Sequence, residues 1–234
     1  MNGSVAYHWR RSPRAKSLQV RITPWQGVEI VVPRHVSRER ARAFVARHRR
    51  WIRDTWTRMR EQMVDADLTL PNGFELRAVG EHWQVKYLRR SGERVRVTSA
   101  GSTLTVHHDG RSEQLVREAL RRWLVERARR HFAEYLPHIC RATGFSYKRL
   151  QIRGQTSRWG SCSSHKTLSL NYKLLFLEPE LVRYLVIHEL AHTRQLDHSP
   201  RFWRLVEEFE PQCRELDEEL GESWRDVPAW VEIH

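Results

Sequence analysis

The segment that most constrains this chain is Leu181-Val182-Arg183-Tyr184-Leu185-Val186-Ile187-His188-Glu189-Leu190-Ala191-His192. As a helix it is apolar on nearly every side, which predicts burial in a core rather than on a surface. Pro179 suits the first helical position and Glu180 the positive end of the dipole, so the helix should start near residue 179. Two imidazoles and a carboxylate inside such a segment need partners, because burying an unpartnered polar group is costly.

His188 and His192 stand four apart, which on a helix sets both rings on one face about one turn apart, able to grip one ion. Glu189 is the next residue round and can reach a water on that ion without ligating it, as a general base must. His-Glu-x-x-His is the zinc hydrolase signature. Two hydrogen-bonded core histidines would account for the string alone, whereas a single Zn2+ satisfies all three polar groups at once. A third ligand is needed, and the sequence offers His198, provided that the chain turns after Thr193. Asp197-His198-Ser199-Pro200 supplies that turn: Ser199 is barred from the helical region by the following proline and can cap a new helix beginning at Pro200. The rival third ligand is Glu207 or Glu208 on that next helix. Metzincin proteases share the histidine spacing but carry glycine where this chain has Gln195.

Charge divides the chain unevenly. Residues 1 to 60 hold 15 Lys and Arg against Glu29, Glu39 and Asp54, a balance of +12 out of +13 for the whole; from Ser199 on, four Arg oppose ten acids. A basic front with Trp9, Trp25, Trp51 and Trp56 among arginines suits a polyanion such as nucleic acid or nucleotide, and it equally suits a solvated helix face. Cys140, Cys162 and Cys213 form no Cys-x-x-Cys pair and read as reduced thiols. With no run of 18 apolar residues and no signal-peptide core, the expectation is a cytoplasmic protein that does not enter a membrane.

Along the chain, Leu18, Val20 and Ile22 alternate with polar residues, residues 24 to 27 turn, and Val28, Ile30 and Val32 resume the alternation, predicting a β-hairpin. Ser37 caps a helix running to about residue 62. Four short strands of an antiparallel sheet follow within residues 74 to 107; the adjacent His107 and His108 point to opposite faces and read as surface. A long helix starts after Ser112, with Pro137 expected to kink or end it. Leu150 and Ile152, then Leu168 and Leu170, mark two further strands.

The sequence resembles the YgjP-like metallopeptidases, relatives of the SprT-like zinc proteases. The matching residues are Arg158-Trp159-Gly160-Ser161-Cys162, Leu170-Asn171-Tyr172, Tyr184 through His192, His198-Ser199 and Phe202-Trp203. The basic hairpin and the helix reaching Trp51-Ile52 match as well. The resemblance implies an α+β fold: an N-terminal antiparallel β-sheet region with one long helix over residues 1–110, fused to a compact zincin-type catalytic domain over residues 111–234. It implies zinc on His188, His192 and His198, water activation by Glu189, and a peptide or protein substrate added as a strand to the sheet edge above the metal, with Asn171 near that edge. Arg158 is expected either to stabilise an oxyanion or grip a phosphate or carboxylate, or to make a structural pairing that holds the hairpin. Asp197, where the family usually has Asn, is expected to hydrogen-bond a ligand imidazole. Two other readings stay open: hydrolysis of a nucleoside triphosphate on the same site, and a nucleic-acid-binding module with a structural zinc.

Overall fold

The computed structural model describes residues 7–13, 15, 17–23, 27–61, 69–90, 92, 94–110, 112–156 and 158–232. It divides into two compact units, Met1–Asp67 and Leu68–His234. The boundary expected near residue 110 therefore falls inside the second unit.

The first unit holds strands β1 (Tyr7–Ser12), β2 (Gln19–Thr23) and β3 (Gly27–Pro33) and helix α1 (Arg38–Glu61). β2 and β3 pair antiparallel, as the alternation predicts, while the turn at 24–26 lies outside the described residues. β1 is an addition: it lies parallel to β3 at the sheet's edge, in the order β1-β3-β2. The centre goes to β3 because it has most to bury: Val28, Ile30, Val31 and Val32 are all buried. α1 contributes Ala41, Val45 and Ile52 to the same small core. The Ser37 hydroxyl accepts the Arg40 N–H at 3.2 Å, capping the helix as expected.

The second unit opens with β4 (Gly73–Leu76), β5 (Glu81–Arg89), β6 (Arg96–Ala100) and β7 (Thr103–His108), in the order β4-β5-β7-β6. This sheet is mixed and not antiparallel, since β5 and β7 run parallel. The physical reason is burial. Leu104 and Val106 of β7 are fully buried, so β7 takes the inner place, and the largely exposed β6 folds back along it to the rim through a turn at Gly101, whose φ of 53° suits glycine. Helix α2 (Glu113–Thr143) packs Leu120, Leu124, Phe132 and Leu136 into the core. It runs through Pro137 without ending there. Ala133, whose carbonyl loses its helical donor to the proline, is on the exposed side, where water can replace it.

A second small sheet follows: β8 (Arg149–Arg153), β9 (Gly160–Cys162) and β10 (Thr167–Asn171), in the order β8-β10-β9, so β9 is an edge strand. Helices α3 (Pro179–Ala191), α4 (Pro200–Glu207), α5 (Cys213–Glu222) and α6 (Ala229–Glu232) complete the unit. Its core is continuous from Leu76, Val85 and Leu104 through α2 to Tyr184, Ile187 and Leu190 of α3. The architecture is α+β. Among the described residues no helix is long and apolar enough to cross a membrane.

Candidate metal centre

α3 begins at Pro179, and Leu181, Val182, Leu185, Val186, Ile187 and Leu190 are all buried. After His192 the chain leaves the helix: the N–H groups of Arg194 and Gln195 both bond the Ala191 carbonyl, at 2.9 and 3.0 Å. This turn carries His198 back toward the helix. Ser199 takes the N-cap position of α4 with Pro200 next, but its hydroxyl accepts no N–H of the helix, so the expected side-chain cap is not formed; the Asp197 carboxylate accepts the Ser199 N–H at 3.2 Å instead.

The ligand atoms of His188, His192 and His198 lie within 4.8 Å of one another, and among the described residues no fourth His, Cys, Asp or Glu joins them. His188 Nε2 and His198 Nε2 face each other at 3.1 Å. Two donors on one tetrahedral zinc, each about 2.0–2.1 Å from it, would stand roughly 3.3 Å apart, so the gap suits an ion. The outer ring nitrogens are engaged: His188 Nδ1 is 3.1 Å from the Tyr184 hydroxyl, and His192 Nδ1 is 2.9 Å from the Gln195 carbonyl. With Nδ1–H donated outward, the inner Nε2 lone pairs are left for a cation. Burial, then the neighbouring imidazoles, pushes His188 down to about 3, and burial lowers His192 too, which keeps both rings neutral. Phe202, fully buried at the start of α4, stacks on His192 at 4.5 Å and meets His188 and His198 edge-on at 4.9 and 4.8 Å, fixing all three rings. The rivals Glu207 and Glu208 are exposed at the end of α4, outside the cluster.

Glu189 is 6 % exposed. Burial pushes its carboxyl up to about 8, against the opposing effects of the Arg158 charge and of the Cys162 N–H that it accepts. Its Oε2 is buried with no hydrogen-bond partner, a carboxylate oxygen left for a group the protein does not itself supply. The carboxylate sits so close to β9 that a Cβ on Gly160 would come within 2.8 Å of both Cγ and Oε1; this is why the strand carries glycine there.

Arg158 is exposed, and its guanidinium charge acts on Glu189. Asn171, expected at the substrate-facing edge, is instead fully buried on the inner strand β10. Its amide donates to the Gln155 and Arg158 carbonyls at 2.8 and 3.1 Å and its oxygen accepts the Lys173 N–H, so it holds the loop that carries Arg158. Trp159 anchors the same loop, donating to the Leu220 carbonyl at 3.0 Å and stacking on Trp224. Asp197 bonds no imidazole; it accepts from Gln195 Nε2 at 2.7 Å and from Ser199 N, bracing the ligand turn. Burial, then Glu189, pushes the Cys162 thiol up to about 11, so it stays protonated. His107 and His108 are half-buried and outside the cluster. Tyr184, Asp217, Phe202 and Gly160 are the site residues that the sequence reading missed. Tyr184 had a signal, its place one turn before His188; Asp217 had none.

The family model for the YgjP-like, metallopeptidase domain matches residues 16–223. Two solved structures are similar over part of the chain. The metallopeptidase zymogen abylysin of Pyrococcus abyssi is 29% identical over 39% of this chain and 92% of its own, with a TM-score of 0.36. The zymogen jannalysin of Methanocaldococcus jannaschii is 20% identical over 40% of this chain and 96% of its own, with a TM-score of 0.35. No curated protein matches the chain. With a family match that runs through both units and ends beyond the converging imidazoles, the chain belongs to the YgjP-like metallopeptidase family and is a metallohydrolase.

Proposed function

We propose that the protein is a zinc-dependent peptidase in which His188, His192 and His198 hold the ion and Glu189 is the general base. The observation that carries this reading is the pairing of three converging imidazoles with a buried carboxylate oxygen that has no partner of its own. A bound zinc supplies an electrophile for the scissile carbonyl and lowers the pKa of a coordinated water toward neutrality. Glu189 takes a proton at Oε2 and holds it readily, because its buried site favours the protonated form, and it then delivers that proton to the leaving amine. Arg158, exposed and electrically coupled to Glu189, suits the developing oxyanion or a substrate carboxylate.

An extended peptide fits the free side of β9. Asn171 N–H bonds the Trp159 carbonyl and Ser163 N–H bonds the Thr167 carbonyl, so residues 159, 161 and 163 face β10 while the backbone of Gly160 and Cys162 turns outward. Cys162 spends its N–H on Glu189, which leaves the Gly160 peptide groups and the Cys162 carbonyl for a substrate strand beside the base. Replacing Glu189 by Gln tests the assignment: zinc content persists and hydrolysis falls about 10³-fold. Turnover kept by that variant would remove Glu189 as the base. A panel of unfolded proteins, short peptides and nucleoside triphosphates separates peptide from phosphoanhydride cleavage.

A second reading concerns the first unit and rests on its own observation. Trp9 and Trp51 are 48% and 52% exposed, Trp9 beside Arg10 and Arg11 on β1, Trp51 one turn after Arg47 on α1. Among the described residues the apolar side of α1 packs into its own core through Ala41, Phe44, Val45, Ile52 and Trp56. Exposed indoles among guanidiniums suit stacked bases and phosphates, and the partner is a single-stranded nucleic acid. Binding of a fluorescent oligonucleotide that falls steeply with salt, and weakens in Trp51→Ala, supports this; salt-insensitive or absent binding ends it.

A further inference from the structure

We infer that Tyr184 and Asp217 form a positioning relay for His188, fixing which of its ring nitrogens meets the ion and how strongly that nitrogen donates. The inference rests on the zinc reading above. Tyr184 stands one helical turn before His188 on α3, fully buried, with its hydroxyl 3.1 Å from His188 Nδ1 and 2.7 Å from Asp217 Oδ1. Asp217 comes from a different helix, α5.

The direction of the chain follows from what each group can do. A carboxylate only accepts, so the phenol donates its proton to Asp217. The phenol oxygen then has only lone pairs to offer toward His188, and Nδ1 must carry the ring's proton. Nε2, the atom that faces His198 at 3.1 Å, is left with its lone pair inward. A donated hydrogen bond from Nδ1 toward a group that is itself bonded to a carboxylate raises the electron density of the ring and its affinity for a cation.

His192 provides the contrast. Its Nδ1 faces the Gln195 carbonyl in the turn that the ligand helix itself makes. One imidazole is therefore oriented locally by a neutral acceptor, and the other by an anion on a helix that begins more than twenty residues later. The asymmetry makes the seating of α5 against α3 a determinant of metal affinity.

Three variants test the relay: Tyr184→Phe, which keeps the ring and its packing; Asp217→Asn, which keeps an acceptor without its charge; and Arg225→Ala as a surface control. The readouts are the zinc dissociation constant by competition with a chromophoric chelator, the visible absorption of the Co2+-loaded protein, and the melting temperature of the metal-free protein. Tyr184→Phe weakens zinc toward the upper end of a roughly 10–100-fold range and Asp217→Asn toward the lower end, both with altered Co2+ bands. The control changes nothing. If Tyr184→Phe and Asp217→Asn both bind zinc as tightly as the wild type, the relay is wrong while the zinc assignment stands. A loss of zinc that only follows a fall in metal-free melting temperature, with unaltered Co2+ bands, makes the contact structural and overturns the relay as well. Wild-type protein that takes up no zinc overturns both readings together.

Discussion

Helices α1 and α3 treat their polar residues in opposite ways. α1 is 24 residues long, and among its residues up to 57, whose side chains are described, it buries Ala41, Val45 and Ile52 while the arginines from Arg38 to Arg53 stand out in water. α3 is 13 residues long and buries nine, Glu189 among them. A charge on α1 needs no explanation, because solvent satisfies it. A polar group on the inner face of α3 or at its C-cap persists only with a partner, and each has one or waits for one: His188 has Tyr184, His192 has Gln195, and Glu189 keeps one oxygen unpaired. The same residue types thus carry different evidential weight. On α3 they define a site; on α1 they permit a partner without specifying it.

The sharpest way to break this contrast is at His198. It is exposed, so His198→Ala removes no core packing, yet zinc content and hydrolysis both fall to background while the melting temperature of the metal-free protein stays put. His107→Ala and His108→Ala, half-buried on β7 and outside the triad, leave zinc content unchanged. Elemental analysis of the three variants decides it. Zinc retained without His198 would reopen the case for a carboxylate ligand.

The next largest effect comes from a single methyl group. In Gly160→Ala the new Cβ would lie 2.8 Å from the Glu189 carboxylate, so either β9 or the base must move. A shift of that size lowers kcat about 10²-fold with zinc still bound. Gly221→Ala, near the end of α5, meets nothing within 4 Å and stabilises the fold by roughly 0.5–1 kcal/mol with activity intact. Steady-state kinetics beside thermal melts separate the two.

How much of this was readable beforehand follows the same division. The metal helix, its start at Pro179, the turn after it and the histidine triad are local: spacing, a proline and a run of apolar residues specify them, and the coordinates place them so. The helix cap at Ser37 and the start of α2 after Ser112 were legible for the same reason. Pairing was not. That β1 would join β3 in parallel, and that β7 would enter between β5 and β6, depends on which strand has most to bury and not on any turn between neighbours. Asn171 was misplaced because a strand pattern says which face a side chain takes, and not whether its strand is an edge. Asp217 was invisible, since nothing near it in sequence refers to His188.

Burial of Glu189 can be sharpened through pH. In the metal-free protein its carboxyl sits at about 8, above the usual 4.5. A raised carboxylate favours the fold fully below its unfolded value, and that contribution is lost as pH rises through the folded value. Metal-free Glu189→Gln, which carries no such charge, therefore becomes more stable than metal-free wild type between about pH 5 and 9, by on the order of 5 kcal/mol at the alkaline end. His188 and His192, held low, act at the acid end in both proteins alike, so the difference between the two melting curves isolates Glu189. Curves that run parallel across this range would show that the carboxylate is solvated in solution.

The smallest effect belongs to α1, where the contrast predicts almost nothing. Arg49 is exposed, forms no ion pair among the described residues, and faces Arg53 one turn on. Like charges at that spacing repel by a few tenths of a kcal/mol, and alanine is the better helix former, so Arg49→Ala changes stability by no more than about 0.5 kcal/mol and in the favourable direction. Because the repulsion is screened, the gain shrinks as salt is added. Denaturant titration at low and high salt measures it. A loss of more than about 1 kcal/mol would mean that Arg49 has a structural partner, and the arginines of α1 would then belong, like the polar residues of α3, to a built site and not to a solvated face.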